Sequence, residues 1–223
     1  MCFSATASFT AGAVLTVIGV ASIKKTNHKS QLLFASIPLI FGVQQFAEGV
    51  LWLTLPNSDL ISIQKVATFI YVGFAQVVWP ICVPIAILHL EKRKSRKWTQ
   101  RILVGAGLLL GGYLAYCLLI YPVEGKIIEY HIAYTLDYPN ELRIFVITLY
   151  PLATIAPPFF SNIKRMWILG VTILFAYLVT AIFYENYLLS VWCFFSSVIS
   201  ISIYFIIKKI VDLDKQKRLI PNN

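Results

Sequence analysis

Seven long apolar runs constrain this chain more than any other feature. They cover approximately residues 5–23, 31–55, 66–90, 101–121, 142–161, 167–184 and 187–207, with short polar stretches between them. A bilayer core about 30 Å thick takes roughly 20 apolar residues per helical crossing, so each run reads as one span. Apolar residues make up 58% of the 223, charged residues 13%, and mean hydropathy is +0.75. A soluble domain of this size needs more polar surface. The expected fold is therefore all-α: a seven-transmembrane-helix bundle over residues 1–208, followed by a basic tail, 209–223. The sixth and seventh runs nearly touch at "YENY" (184–187), where one broken segment is the alternative.

The net charge of +9 is unevenly placed. Lys24, Lys25 and Lys29 follow the first run, "EKRKSRKWTQR" (91–101) the third, Lys164 and Arg165 the fifth, and "KK" and "KQKR" the seventh. The alternate loops carry Lys65, Lys126 and Arg143 against Asp59, Glu124, Glu129, Asp137, Glu141 and Glu185. This is the positive-inside pattern. It predicts a multi-pass membrane protein with its N-terminus outside and its C-terminus cytoplasmic. The basic loops then meet anionic lipid headgroups rather than nucleic acid. No basic region precedes the first run, so that helix is expected to remain as an anchor rather than be cleaved. A lipoprotein anchor on Cys2 is not expected, and four scattered cysteines are not expected to form a disulfide framework.

The long linker is 122–141, expected on the outside. In it Ile128, Tyr130, Ile132, Tyr134 and Leu136 alternate with Glu129, His131, Ala133, Thr135 and Asp137. A period of two predicts a short extended segment that caps the bundle, with Glu129 and His131 on one face. An interfacial loop held by tyrosines is the alternative. Gly107 and Gly111 stand at the small-xxx-small spacing that lets helices approach closely. Prolines in "WPICVP" (79–84) and "LYPLATIAPPFF" (149–160) predict kinks within spans.

Chemistry concentrates in "FGVQQFAEGVLW" (41–52). Glu48 falls inside the second span, where a carboxyl group costs a few kcal/mol and usually faces the bundle interior or a wet cavity. Gln44, Gln45 and Trp52 share its broad helix face by three- and four-residue spacing. Gln76 and Trp79 lie at similar depth on the third span, and Cys193 on the seventh, within the stripe Ser190, Cys193, Ser197, Ser200 and Tyr204. Together they predict a water-accessible polar pocket, open to the outside, for a small ligand, metal ion or proton. A polar clamp that fixes helix packing is the alternative.

Cys2 is the second candidate centre. Removal of Met1 would expose an α-amine and a thiol that together chelate a soft or borderline metal. His131 and a carboxylate on the same side would complete such a site, although no CxxC, HxxxH or HExxH pattern supports it. An interfacial thiol at a helix start is the competing reading. No retinal is expected, since the seventh run has no lysine between Tyr187 and Ile207, and no haem, since no histidine pair has helical spacing.

The opening "MCFSATASF" and the later "IPLIFGVQQFAEGVLW" resemble a bacterial family of small polytopic membrane proteins of unknown function. Its members begin Met-Cys-Phe-Ser-Ala and carry Gln-Gln-x-x-Glu-Gly-x-x-Trp in the second helix. The resemblance is specific over roughly the first 55 residues. It implies that Cys2, Ser4, Gln44, Gln45, Glu48, Gly49 and Trp52 match the family pattern, and it supplies no reaction. The rivals to ligand binding or transport are two. One is an intramembrane enzyme that uses Cys2 or Glu48 on a lipid or small periplasmic substrate. The other is a sensor or assembly subunit of a membrane complex.

Overall fold

A computed structural model describes residues 4–163 and 165–219, with side chains for these except Asn140 and 217–219. Helix α1 (Ala5–Lys25) starts at Ser4, whose side chain accepts from the Ala7 N–H at 3.2 Å. Lys24 and Lys25 in its last turn suit the negative end of the helix dipole. Its buried face is Ser8, Gly12, Leu15, Gly19 and Ser22, a seam of mostly small residues. That seam lies along α2 (Ile37–Thr54), where Pro38 occupies the first turn and its missing N–H costs nothing. A Cβ on Gly19 would stand 2.5 Å from the backbone nitrogen of Leu39, so the two backbones are in contact.

Helix α3 (Ile61–Gly73) passes through one π-helical turn, Phe74–Val78, into α4 (Trp79–Leu90). Pro80 is the cause: it cannot donate to the carbonyl four residues back, and its ring crowds that carbonyl. The wider turn absorbs the misfit. Pro84 withholds the same bond from the Pro80 carbonyl, and α5 (Lys94–Ile120) lays Gly107 against that oxygen.

A hairpin follows, β1 (Val123–Ile128) and β2 (His131–Leu136), antiparallel and in register from Val123 opposite Leu136 to Ile128 opposite His131. The alternating segment expected from Ile128 onward is thus two strands, and Glu129 occupies the reversal with φ 54°. Ile128 and Tyr130 are exposed at the tip, and Val123 and Ile127 take their place on the inward face beside Ile132, Tyr134 and Leu136. Glu129 consequently does not share a strand face with His131. The hairpin packs on α3 and on the later helix Leu188–Ser200, and so covers one end of the bundle.

The fifth run departs from expectation. Helix α6 (Arg143–Thr154) contains Pro151 and breaks at Ile155 before a short turn, Ala156–Phe159. Helix α7 (Met166–Phe183) ends at Tyr184, one turn (Glu185–Tyr187) follows, and α8 (Leu188–Ser200) begins, so "YENY" is a true boundary. Helix α9 (Ser202–Leu219) carries the start of the basic tail as continuing helix. Among the described residues six stretches are long and apolar enough to cross a membrane: Ala5–Lys25, Lys29–Thr54, Ser58–Leu90, Lys94–Ile120, Met166–Phe183 and Glu185–Gln216; Arg143–Thr154 is shorter.

Among the described residues two larger apolar cores result, with a small third cluster of Ile155, Ala176 and Trp192. One, beneath the hairpin, joins Leu51, Tyr71, Leu118, Ile132 and Cys193. The other fills the opposite end around Phe34, Ile37, Ile87, Met166 and Ile203. At that end the buried Glu91 accepts from the backbone N–H of Arg93 at 3.0 Å and of Asn162 at 2.7 Å, which ties two loops together.

Candidate functional site

The polar residues of α2 meet those of α3, α4 and α8 just below the hairpin. Glu48 is fully buried, and Ser190 Oγ donates to its Oε1 at 2.6 Å. Tyr71 and Gln45 stand beside the same carboxyl group. Among the described residues no lysine, arginine or histidine forms an ion pair with it. One turn deeper, Gln44 binds three helices at once. Its Oε1 accepts from Trp79 Nε1 at 2.8 Å, and its Nε2 reaches Cys193 Sγ at 3.3 Å and the Tyr71 carbonyl at 3.5 Å. Trp79 is held in turn by stacking on Phe41, with ring centroids 3.8 Å apart.

The sequence-predicted residues therefore separate into two groups. Glu48, Gln44, Trp79 and Cys193 form one network with Ser190 and Tyr71, and Gln45 is buried against it. Trp52 packs under the hairpin, its indole N–H buried with no acceptor among the described residues. Gln76, on the π-helical turn, is turned away from the network and accepts from the Tyr138 hydroxyl at 2.9 Å. Tyr150 of α6 donates its hydroxyl to the Ala75 carbonyl on the same turn.

Glu48 was expected to line a hydrated, outward-open pocket; the structure instead has it enclosed, with the open space beside the network. A cavity of about 60 Å³ runs from Trp79 and Cys193 toward Ile87 and Ile203. A second, of about 170 Å³, lies toward the hairpin end and includes Gln76, Leu114 and Leu189. Tyr150, Trp192 and Cys193 border both. The indole N–H of Trp192 is buried and has no acceptor among the described residues. Buried donors are nearly always paired, so this one marks where an acceptor belongs. The sequence reading missed Trp192 and Tyr150. Trp192 adjoins Cys193 but lies outside the three-to-four spacing of the stripe, and Tyr150 sits beside Pro151 in a segment that signals only a kink.

The metal proposal rests on Cys2, which lies outside the described residues. Its partner His131 is buried on β2, stacked on Tyr187 with centroids 4.5 Å apart and tilted against Tyr184 at 5.4 Å. Among the described residues no three His, Cys, Asp or Glu side chains converge to hold a metal ion. Burial lowers the pKa of His131 below its ordinary value of 6.5. The unfolded chain then takes up a proton that the folded hairpin resists, so stability falls as pH drops below about 6.5 and is retained above it. Melting temperatures of wild type and His131→Gln, compared between about pH 5 and about pH 8, should show a steeper acid loss in wild type. Parallel curves would contradict this.

The chain matches the model of a family of unknown function, DUF6629, across residues 1–218, and so belongs to that family. No curated protein and no solved structure matches it.

Proposed function

Starting from membership of a family with no assigned activity, we propose that this chain is a membrane protein that binds or transports a small ligand in the paired cavities beside the Glu48 network. In this reading the six long helices and α6 make seven crossings. The alternation of loop charge sets the hairpin and the N-terminus outside and the basic loops in the cytoplasm. The observation that carries the reading is the Trp192 N–H, a donor without an acceptor among the described residues, on the wall shared by two cavities. The ligand class follows from the lining: a mainly apolar molecule with one acceptor oxygen. Such sites are typically apolar hollows with a few placed polar groups. Glu48 contacts no ligand in this reading. Through Ser190, one turn before Cys193, it holds α8 in place and fixes the cavity wall.

The test uses purified protein titrated with 2-heptanone, an apolar chain with one carbonyl acceptor, and with heptane, which has none. Saturable change in tryptophan emission and a raised melting temperature are expected for the ketone. Both should be lost in Trp192→Phe, which keeps an aromatic ring against Tyr150 and Tyr177. Equal responses of wild type and variant, or of ketone and alkane, would refute the site.

A further inference from the structure

Away from the Glu48 network, a groove at the basic end separates α7 from α9. Its volume is about 210 Å³. The two helices are not in extended contact there; each packs chiefly on other elements. The groove floor is Leu169, Ile206 and Ile210, and its walls include the exposed Ile168 and Phe205. Two cations stand at its mouth. Arg165 precedes the first turn of α7 in a left-handed conformation, φ 71°, and Lys209 projects from α9. Neither forms an ion pair among the described residues, whereas Lys92 nearby is engaged by Asp214 at 3.0 Å. Asp212, one turn beyond Lys209, is the nearest acid in sequence and is exposed.

We propose that this groove is a site for an anionic glycerophospholipid. The phosphate lies between Arg165 and Lys209, and one acyl chain lies over Ile168, Phe205 and Ile206. The chemistry is complementary at both ends. A bilayer provides a ligand whose charged head and apolar tail are joined, and the groove joins two unpaired cations to an apolar channel in that same order. The positive end of the α7 dipole adds to the attraction for phosphate. A water-soluble anion would gain the cations but leave the channel empty, and a zwitterionic lipid would gain the channel but cancel the charge. Basic pockets between transmembrane helices are a known physical means of lipid-headgroup recognition. This site is separate from the cavities around Trp192, and its test does not depend on them.

The experiment measures melting temperature and lipid adducts in native mass spectrometry for the full-length protein in detergent. Phosphatidylglycerol or phosphatidylcholine is added at increasing ratio. Phosphatidylglycerol should bind saturably and stabilise, and phosphatidylcholine should not. The double variant Arg165→Gln/Lys209→Gln should weaken phosphatidylglycerol binding at least tenfold. The pair Arg96→Gln/Lys208→Gln removes the same charge from exposed positions outside the groove and should leave affinity within about twofold. Equal losses in the two pairs would mean that surface charge attracts the lipid and no site exists. Equal stabilisation by both lipids would overturn the headgroup assignment. Inorganic phosphate that competes at millimolar concentration would show a free-anion site instead. Thr172→Trp, which narrows the groove without a change in charge, should weaken binding as well; unchanged affinity would exclude the acyl-chain placement.

Discussion

Gly107→Ala is expected to abolish or severely reduce the yield of folded protein, while Gly105→Ala and Gly112→Ala leave it intact. All three glycines lie on α5 within two turns, and each substitution adds a single methyl group. At Gly107 that methyl would overlap the Pro80 carbonyl oxygen, with Pro84 also in contact. At Gly105 and Gly112 nothing lies within 4 Å. The neighbour at Gly107 is backbone, held within the first turns of α4, so it has no rotamer through which to yield. Overpacking of a tight core typically costs about 1–3 kcal/mol and more where backbone must move. The two open positions should gain up to about 1 kcal/mol from helix propensity instead. Fluorescence-detected gel filtration and melting curves in detergent check the set. Indistinguishable behaviour of Gly107→Ala and Gly105→Ala would mean that α5 and α4 are not in backbone contact.

The second large effect concerns the Gln44–Trp79 bond. Gln44→Leu leaves the Trp79 N–H buried without its acceptor and also removes the donor to Cys193 and the Tyr71 carbonyl. An orphaned buried polar group costs about 1–3 kcal/mol, whereas replacement of both partners by apolar groups is far less costly. Gln44→Leu should therefore lower the melting temperature by several degrees, on the order of 2–4 °C per kcal/mol for a chain of this size. Trp79→Phe, which keeps the ring on Phe41 but leaves the Gln44 oxygen unmet, should do likewise. The double variant should be more stable than the sum of the two losses predicts, with a coupling of about 0.5–3 kcal/mol. Strict additivity would show that the bond contributes nothing specific.

Both predictions bear on how the bundle specifies one packing. In hydrocarbon, apolar side chains gain little by leaving lipid for protein, so close backbone approach and interhelical hydrogen bonds decide which faces meet. Gly12, Gly19 and Gly42 set the pairing of α1 with α2, and Gly107 that of α5 with α4. The Gln44 amide and the Glu48–Ser190 bond then join α2 to α3, α4 and α8. Glu48 is thus part of the packing as well as a neighbour of the cavities, which is why its conservative replacement by glutamine should fold: an amide oxygen still accepts from Ser190.

Some of this could be read from residue order alone. Length and hydropathy determined a helical membrane-type chain, because an apolar run near 20 residues has few other stable fates. Position along helices also determined that Glu48, Gln44 and Cys193 would face inward, since three- and four-residue spacing puts them on buried stripes. The reach of each network was another matter. Whether Glu48 opens to water or is enclosed depends on the hairpin above it, and the hairpin depends on a reversal at Glu129–Tyr130 that carries no usual turn signature. Trp192, Tyr150 and Gln76 come to border common space because Pro80 widens one helix and Pro157 and Pro158 end another. Those are consequences of where interrupted helices come to rest against each other, and local sequence holds no record of that distance.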